Sequence, residues 1–159
     1  MQMLSNKSKF LAAACAIGLF ATGCGKSLEQ RKVEYLATIV ERNGAYDSED
    51  KTTTIATENK YYDFWIATTN DGSLWIARKA KNGKNIMRMV DVGMDGSLDQ
   101  LLYEIDSRDT KTTYDLVNKS ITKIRPNRKE RTPVLTDEKC RELQNDYLRE
   151  VERITAYLK

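Results

Sequence analysis

The chain has 159 residues, 40% of them hydrophobic, with 26 Lys and Arg against 23 Asp and Glu and a formal charge of +3. A balance this even gives no electrostatic reason to expect a nucleic-acid partner. Histidine is absent, which removes the commonest general base and the commonest zinc ligand.

At the N-terminus, Lys7 and Lys9 precede an apolar run over residues 10–21, and Ala21, Thr22 and Gly23 lead into Cys24. These 12 residues, at about 1.5 Å each as a helix, give about 18 Å, short of the about 30 Å hydrocarbon core of a bilayer. A basic start, a short apolar core and small residues before a cut site form the layout of a secretory signal. With cysteine placed directly after the small residues, the segment resembles the signal peptide and lipobox of bacterial lipoproteins. Ala21 departs from the Leu usual there three residues before the cysteine.

The resemblance implies that residues 1–23 are removed and that Cys24 carries a diacylglycerol thioether, often with an acylated amino group. Two or more chains matter, because one alone holds a protein only marginally, at about 0.8 kcal/mol per buried CH₂. The protein is then expected outside the cytoplasm, anchored to a membrane by lipid. Gly25 does not supply the Asp that commonly favours inner-membrane retention in that family, so the outer membrane or cell surface is expected in a double-membraned cell, and the outer face of the cell membrane otherwise. A plain secretory signal is the alternative. Removal of residues 1–23 leaves 136 residues with 24 basic and 23 acidic side chains. Cys15 departs with the signal and Cys24 carries lipid, so Cys140 has no intramolecular disulfide partner. Cys140 is expected as a small buried hydrophobe on a helix stripe.

Residues 24–27 read as a short tether and residues 28–159 as one α+β domain. Ser27 to Gln30 has the form of a capping box, opening a helix that runs to about residue 42 and stops at Gly44. Thr-rich and aromatic segments then alternate with turn signals, among them Asn70-Asp71-Gly72 and Asn82-Gly83. They predict an antiparallel meander of about five to seven strands, the last at residues 121–124. Residues 125–133, basic and flanked by proline, read as a linker. Thr136 or Asp137 caps a final amphipathic helix whose apolar stripe is Cys140, Leu143, Tyr147, Val151, Ile154 and Leu158. Helix, antiparallel sheet and helix in that order predict α+β, with both helices on one sheet face.

Three groups of residues carry candidate functions. Asp91, Asp95 and Asp99, around Gly96, resemble a short calcium loop, in which carboxylates at alternate positions and a bend-permitting glycine gather oxygen ligands. Gly93 stands where that pattern carries an oxygen ligand, and Leu102 where an EF-hand carries Glu; the competing reading is a hairpin turn. Lys123, Arg125, Arg128, Lys129 and Arg131 offer contacts to anionic headgroups, against a reading as a solvated linker. Alternation sets Tyr62, Phe64 and Ile66 against Trp65 and Ala67, so a sheet covered on one face presents Trp65 and Trp75 to a partner, against a reading as two-sided core. No phosphate loop, nucleophile elbow or Cys-x-x-Cys motif is present, and no acid pair is spaced for acid/base work. The expected function is therefore a non-catalytic envelope lipoprotein without a cofactor, binding a protein or another envelope component. A calcium-dependent module and a carboxylate-based hydrolase are the alternatives.

Overall fold

The computed structural model describes residues 25–159 apart from 82, 84, 106–109 and 133. Its first element is helix α1, Leu28–Asn43, which begins where Ser27 Oγ accepts the backbone N–H of Gln30 at 3.0 Å. The Gln30 side-chain amide donates to Glu34, one turn on, at 3.2 Å. Val33, Leu36, Ala37 and Val40 form the buried face of α1. The Gly44 N–H closes the helix on the Val40 carbonyl at 2.7 Å.

Nine strands follow: β1 Ala45–Asp47, β2 Thr52–Glu58, β3 Tyr62–Thr69, β4 Ser73–Ala80, β5 Asn85–Val92, β6 Gln100–Ile105, β7 Thr110–Asp115, β8 Ser120–Arg125 and β9 Arg128–Thr132. All pair antiparallel, and the spatial order is the chain order. The last element is helix α2, Asp137–Tyr157, capped by Thr136, whose Oγ1 accepts the Lys139 N–H at 3.2 Å.

The α+β architecture with flanking helices matches the expectation, but nine strands exceed the five to seven predicted. Two additions account for the excess. Strand β1 is three residues long and exposed throughout, so it has no alternation to read. Strand β9 lies in the segment read as a linker. Arg125 pairs Arg128, and Pro126-Asn127 forms the turn between them. Proline fixes the first turn position and asparagine tolerates the second. Charge and proline there mark a hairpin tip and a sheet edge; natural proteins protect such edges with charged side chains.

Both helices cover one face of the sheet. Phe64 and Ile66 of β3, Leu74 and Ile76 of β4, Met87 and Met89 of β5 and Leu101 of β6 point into a core shared with Val33, Leu36 and Val40 of α1 and with Leu143, Tyr147, Val151 and Ile154 of α2. The strand register sets Ile55, Ile66, Ile76, Met89, Leu101, Tyr114 and Ile121 in one row across seven strands, beneath the helices. At about 25 cal/mol per Å² of apolar surface buried, such residues supply about 1.5–3 kcal/mol each.

Candidate functional site

The other face of the sheet has no helix over it. Successive register pairs build two adjacent rows across it. One row runs Ala56, Trp65, Ala77, Arg88, Leu102; the next runs Thr54, Ala67, Trp75, Val90, Gln100. Within this grid Trp65 and Trp75 are diagonal neighbours, and each lies directly beside alanine on its neighbouring strand. Their surfaces are 40% and 42% exposed. These are the only two tryptophans of the chain. An indole flanked by methyl groups stands proud of the sheet, with a shallow slot at each alanine. Asp63 pairs Lys79 at the border of the grid. The two rows thus form an aromatic patch in which Arg88 is the one charged side chain, bordered by the charged register positions Glu58, Asp63 and Lys79.

Sequence alternation had already separated Trp65 from Phe64 and Ile66. Ala67 was placed beside Trp65 by the same alternation, but Ala56, Ala77 and Arg88 were not singled out, although the period of two through residues 73–79 and 85–92 carries the signal for Ala77 and Arg88. Only the pairing register shows that Ala67 and Ala77 flank the indoles.

The Asp91 loop sits at one end of the strands and is a built structure. Asp91 is fully buried. Its Oδ1 accepts the Asp95 N–H at 3.1 Å, and its Oδ2 accepts the Gly96 N–H at 3.1 Å and the Tyr147 hydroxyl at 2.8 Å. Burial pushes the Asp91 carboxyl up to about 6, with the Tyr147 hydrogen bond opposing. Burial and the facing carboxylate also push the Tyr147 phenol up. Asp95 accepts the Ser97 N–H at 2.8 Å, and Asp99 accepts the Val92 N–H at 2.6 Å. Gln144 of α2 donates to the Gly96 carbonyl and accepts the Leu98 N–H, both at 2.7 Å. The three aspartates therefore share one loop, but each spends lone pairs on backbone donors. No group of three or more metal-ligating side chains is gathered among the described residues.

That loop also fixes the start of α1. Gly96 has φ +90°, and a Cβ there would lie 2.7 Å from the Gln30 nitrogen and from the Glu29 carbonyl carbon. Ser27 is consequently at the β5–β6 end of the strands. Beside it a shallow groove of about 520 Å³ is bordered by Ser27, Gly96, Leu98, Leu116, Val117 and Cys140. Cys140 is half-buried there, less enclosed than the sequence suggested, with its side chain against the core.

Lys123, Arg125, Arg128 and Lys129 are exposed on the β8–β9 hairpin. Arg128 pairs with Glu130 at 2.7 Å. The hairpin tip is at the opposite end of the strands from Ser27, about 20 Å away for six residues at about 3.3 Å each. Arg131 lies in β9, its side chain outside the described residues, and Cys24 also lies outside them.

At the tip end of the inner face, Glu150 is buried and accepts Arg153 at 2.7 Å, while its other oxygen lies 3.7 Å from Arg78. The two guanidiniums lie over Tyr62 and Phe64, at 5.0 and 5.2 Å from the ring centroids. This cluster ties α2 to β3 and β4. No helix among the described residues is long and apolar enough to cross a membrane. No protein family, curated protein or solved structure matches this chain.

Proposed function

We propose that the protein is an extracytoplasmic lipoprotein, anchored through lipid on Cys24, whose domain works without catalysis as a binding module and uses the Trp65–Trp75 face for recognition. The observation that carries the reading is the position of Ser27. It caps α1 only three residues after Cys24, at the β5–β6 end of the strands. Three residues reach at most about 10 Å. A lipid at Cys24 therefore holds that end of the sheet at the bilayer surface and turns the uncovered face sideways, into the space beside the membrane. The basic hairpin tip then points away from the surface, so in this reading its charges protect the β9 edge rather than grip headgroups.

Intact mass and membrane fractionation of the native protein beside a Cys24→Ser variant test the anchor. The expected result is a lipid-sized increment on a chain beginning at Cys24, with membrane association lost in the variant. An unmodified chain that fractionates as the variant does rejects the reading.

A further inference from the structure

We propose that the uncovered face is occupied by a second copy of this chain, forming a face-to-face sandwich with its two-fold axis along the strands, midway between β3 and β4. This deepens the binding-module reading and rests on it. A two-fold interface requires a patch that fits itself, each residue meeting the counterpart of another. Rotation about that axis sets every outward residue of β3 over the copy of its own β4 partner. Trp65 then meets the partner copy's Ala77, and Trp75 meets its Ala67. Knob meets hole at all four positions, the interdigitation that packs layers well.

Charge follows the same rule. Asp63 stands opposite Lys79 in the strand register, with the Lys81 ammonium 3.8 Å from its carboxylate, so the rotation sets Asp63 over the second copy's Lys79 and Lys79 over its Asp63. Opposite charges meet twice at the border of the patch. Further out, Arg88 falls over Ala56 and Val90 over Thr54, with no like-charge encounter. Aligned sheets pack about 10 Å apart and within about 30° of each other, which keeps these neighbours in reach.

Area and anchoring agree with this occupant. Strands β2 to β5, of seven or eight residues each, cover about 500 Å² of flat footprint at about 4.8 Å between strands and about 3.3 Å per residue. Side-chain relief raises that towards the about 800 Å² per partner of stable interfaces. An axis along the strands also leaves both Ser27 residues at the same end of the dimer. Two short tethers can then enter one leaflet together. An in-plane axis across the strands would send the two lipids in opposite directions.

The test is sedimentation velocity and light scattering on the full chain in detergent, over a range of concentrations. The expected result is a protein mass of two chains for the native protein and of one chain for Ala77→Arg, which fills a slot on the solvent side without touching the core. Asp63→Lys and Lys79→Asp each weaken association about tenfold or more, and the double exchange restores it. That rescue does not depend on whether Ala77→Arg folds. A native protein that stays monomeric overturns the proposal. So does a dimer indifferent to both the arginine and the charge exchanges. A monomer that captures another envelope component through Trp65 and Trp75 also overturns it, while leaving the binding-module reading intact. The Cys24→Ser variant dimerises through the same face, so failure of the anchor and failure of the dimer are read separately.

Discussion

Replacing Asp91 by asparagine isolates the buried carboxylate that holds the β5–β6 loop. Its carboxyl lies at about 6 in the folded chain, against an ordinary value of 3.8. The folded chain therefore holds the proton more tightly than the unfolded chain, and stability falls as pH rises from about 4 to about 6. The gap between the two values corresponds to about 3 kcal/mol, fully present below about pH 4 and lost once pH has passed through about 6. Asparagine does not titrate, so the variant lacks this slope. Its single carbonyl oxygen also cannot replace both carboxylate oxygens that receive the Asp95 and Gly96 N–H groups. An orphaned buried donor costs about 1–3 kcal/mol. Urea unfolding of both proteins between about pH 4.5 and 7.5 should show the native protein ahead by the widest margin at the acid end. The margin should narrow by about 2–3 kcal/mol toward neutrality. Hydrogen bonds from Lys81, Thr69 and Lys119 hold Glu58, Asp71 and Asp137 below their ordinary values. These groups titrate beneath the window and are common to both proteins, so they cancel. Stability curves running parallel from pH 4.5 to 7.5 would refute the reasoning.

Three further outcomes follow from the same geometry. Gly96→Ala should lose about 2–4 kcal/mol, because a positive φ and a clash with α1 backbone act together, whereas Gly72→Ala, with φ +82° and open space around it, should lose about 1 kcal/mol; equal losses in thermal melts would deny the close approach. Millimolar calcium should leave the melting temperature unchanged relative to a chelator control, since Asp91, Asp95 and Asp99 already accept backbone N–H groups; a rise of several degrees would restore the metal reading. Arg128→Thr combined with Lys129→Val should change unfolding stability by less than about 0.5 kcal/mol but hasten aggregation, because both side chains are exposed on the edge strand; unchanged solubility would remove edge protection as their role.

The fold was legible wherever side-chain period matched burial. Leu36, Val40, Leu143, Tyr147 and Val151 recur at helical spacing, and all five are buried. Phe64 and Ile66 alternate with Trp65, and the sheet separates them as that period requires. Strand β9 escaped because an edge strand can be charged on both faces, and Arg128 to Thr132 carries no apolar residue to count. The loop from Asp91 to Asp99 was legible as composition but not as structure. Acids at alternate positions look alike whether they face a cation or a backbone N–H. The deciding partners, Tyr147 and Gln144, stand more than 40 positions away in the chain. The outer grid was half legible: its tryptophans could be placed on a face, but their alanine neighbours depend on inter-strand register, which local sequence does not set.

An open antiparallel sheet has two edges and two faces that need an answer. Here three of the four are answered within the chain. The β9 edge carries Arg128, Lys129 and Glu130, the β1 edge is only three residues long, and the inner face lies beneath α1 and α2. The outer face carries instead both tryptophans, with Arg88 as the one charged side chain in the two rows around them. Large exposed apolar side chains on a flat sheet invite association. A chain that guards its edges against casual pairing, yet leaves the patch around its two tryptophans exposed, directs association to one surface. The pairing of Trp with Ala and of Asp63 with Lys79 makes that surface fit its own copy. Its orientation relative to Ser27 lets two anchored copies meet without either lipid leaving the leaflet.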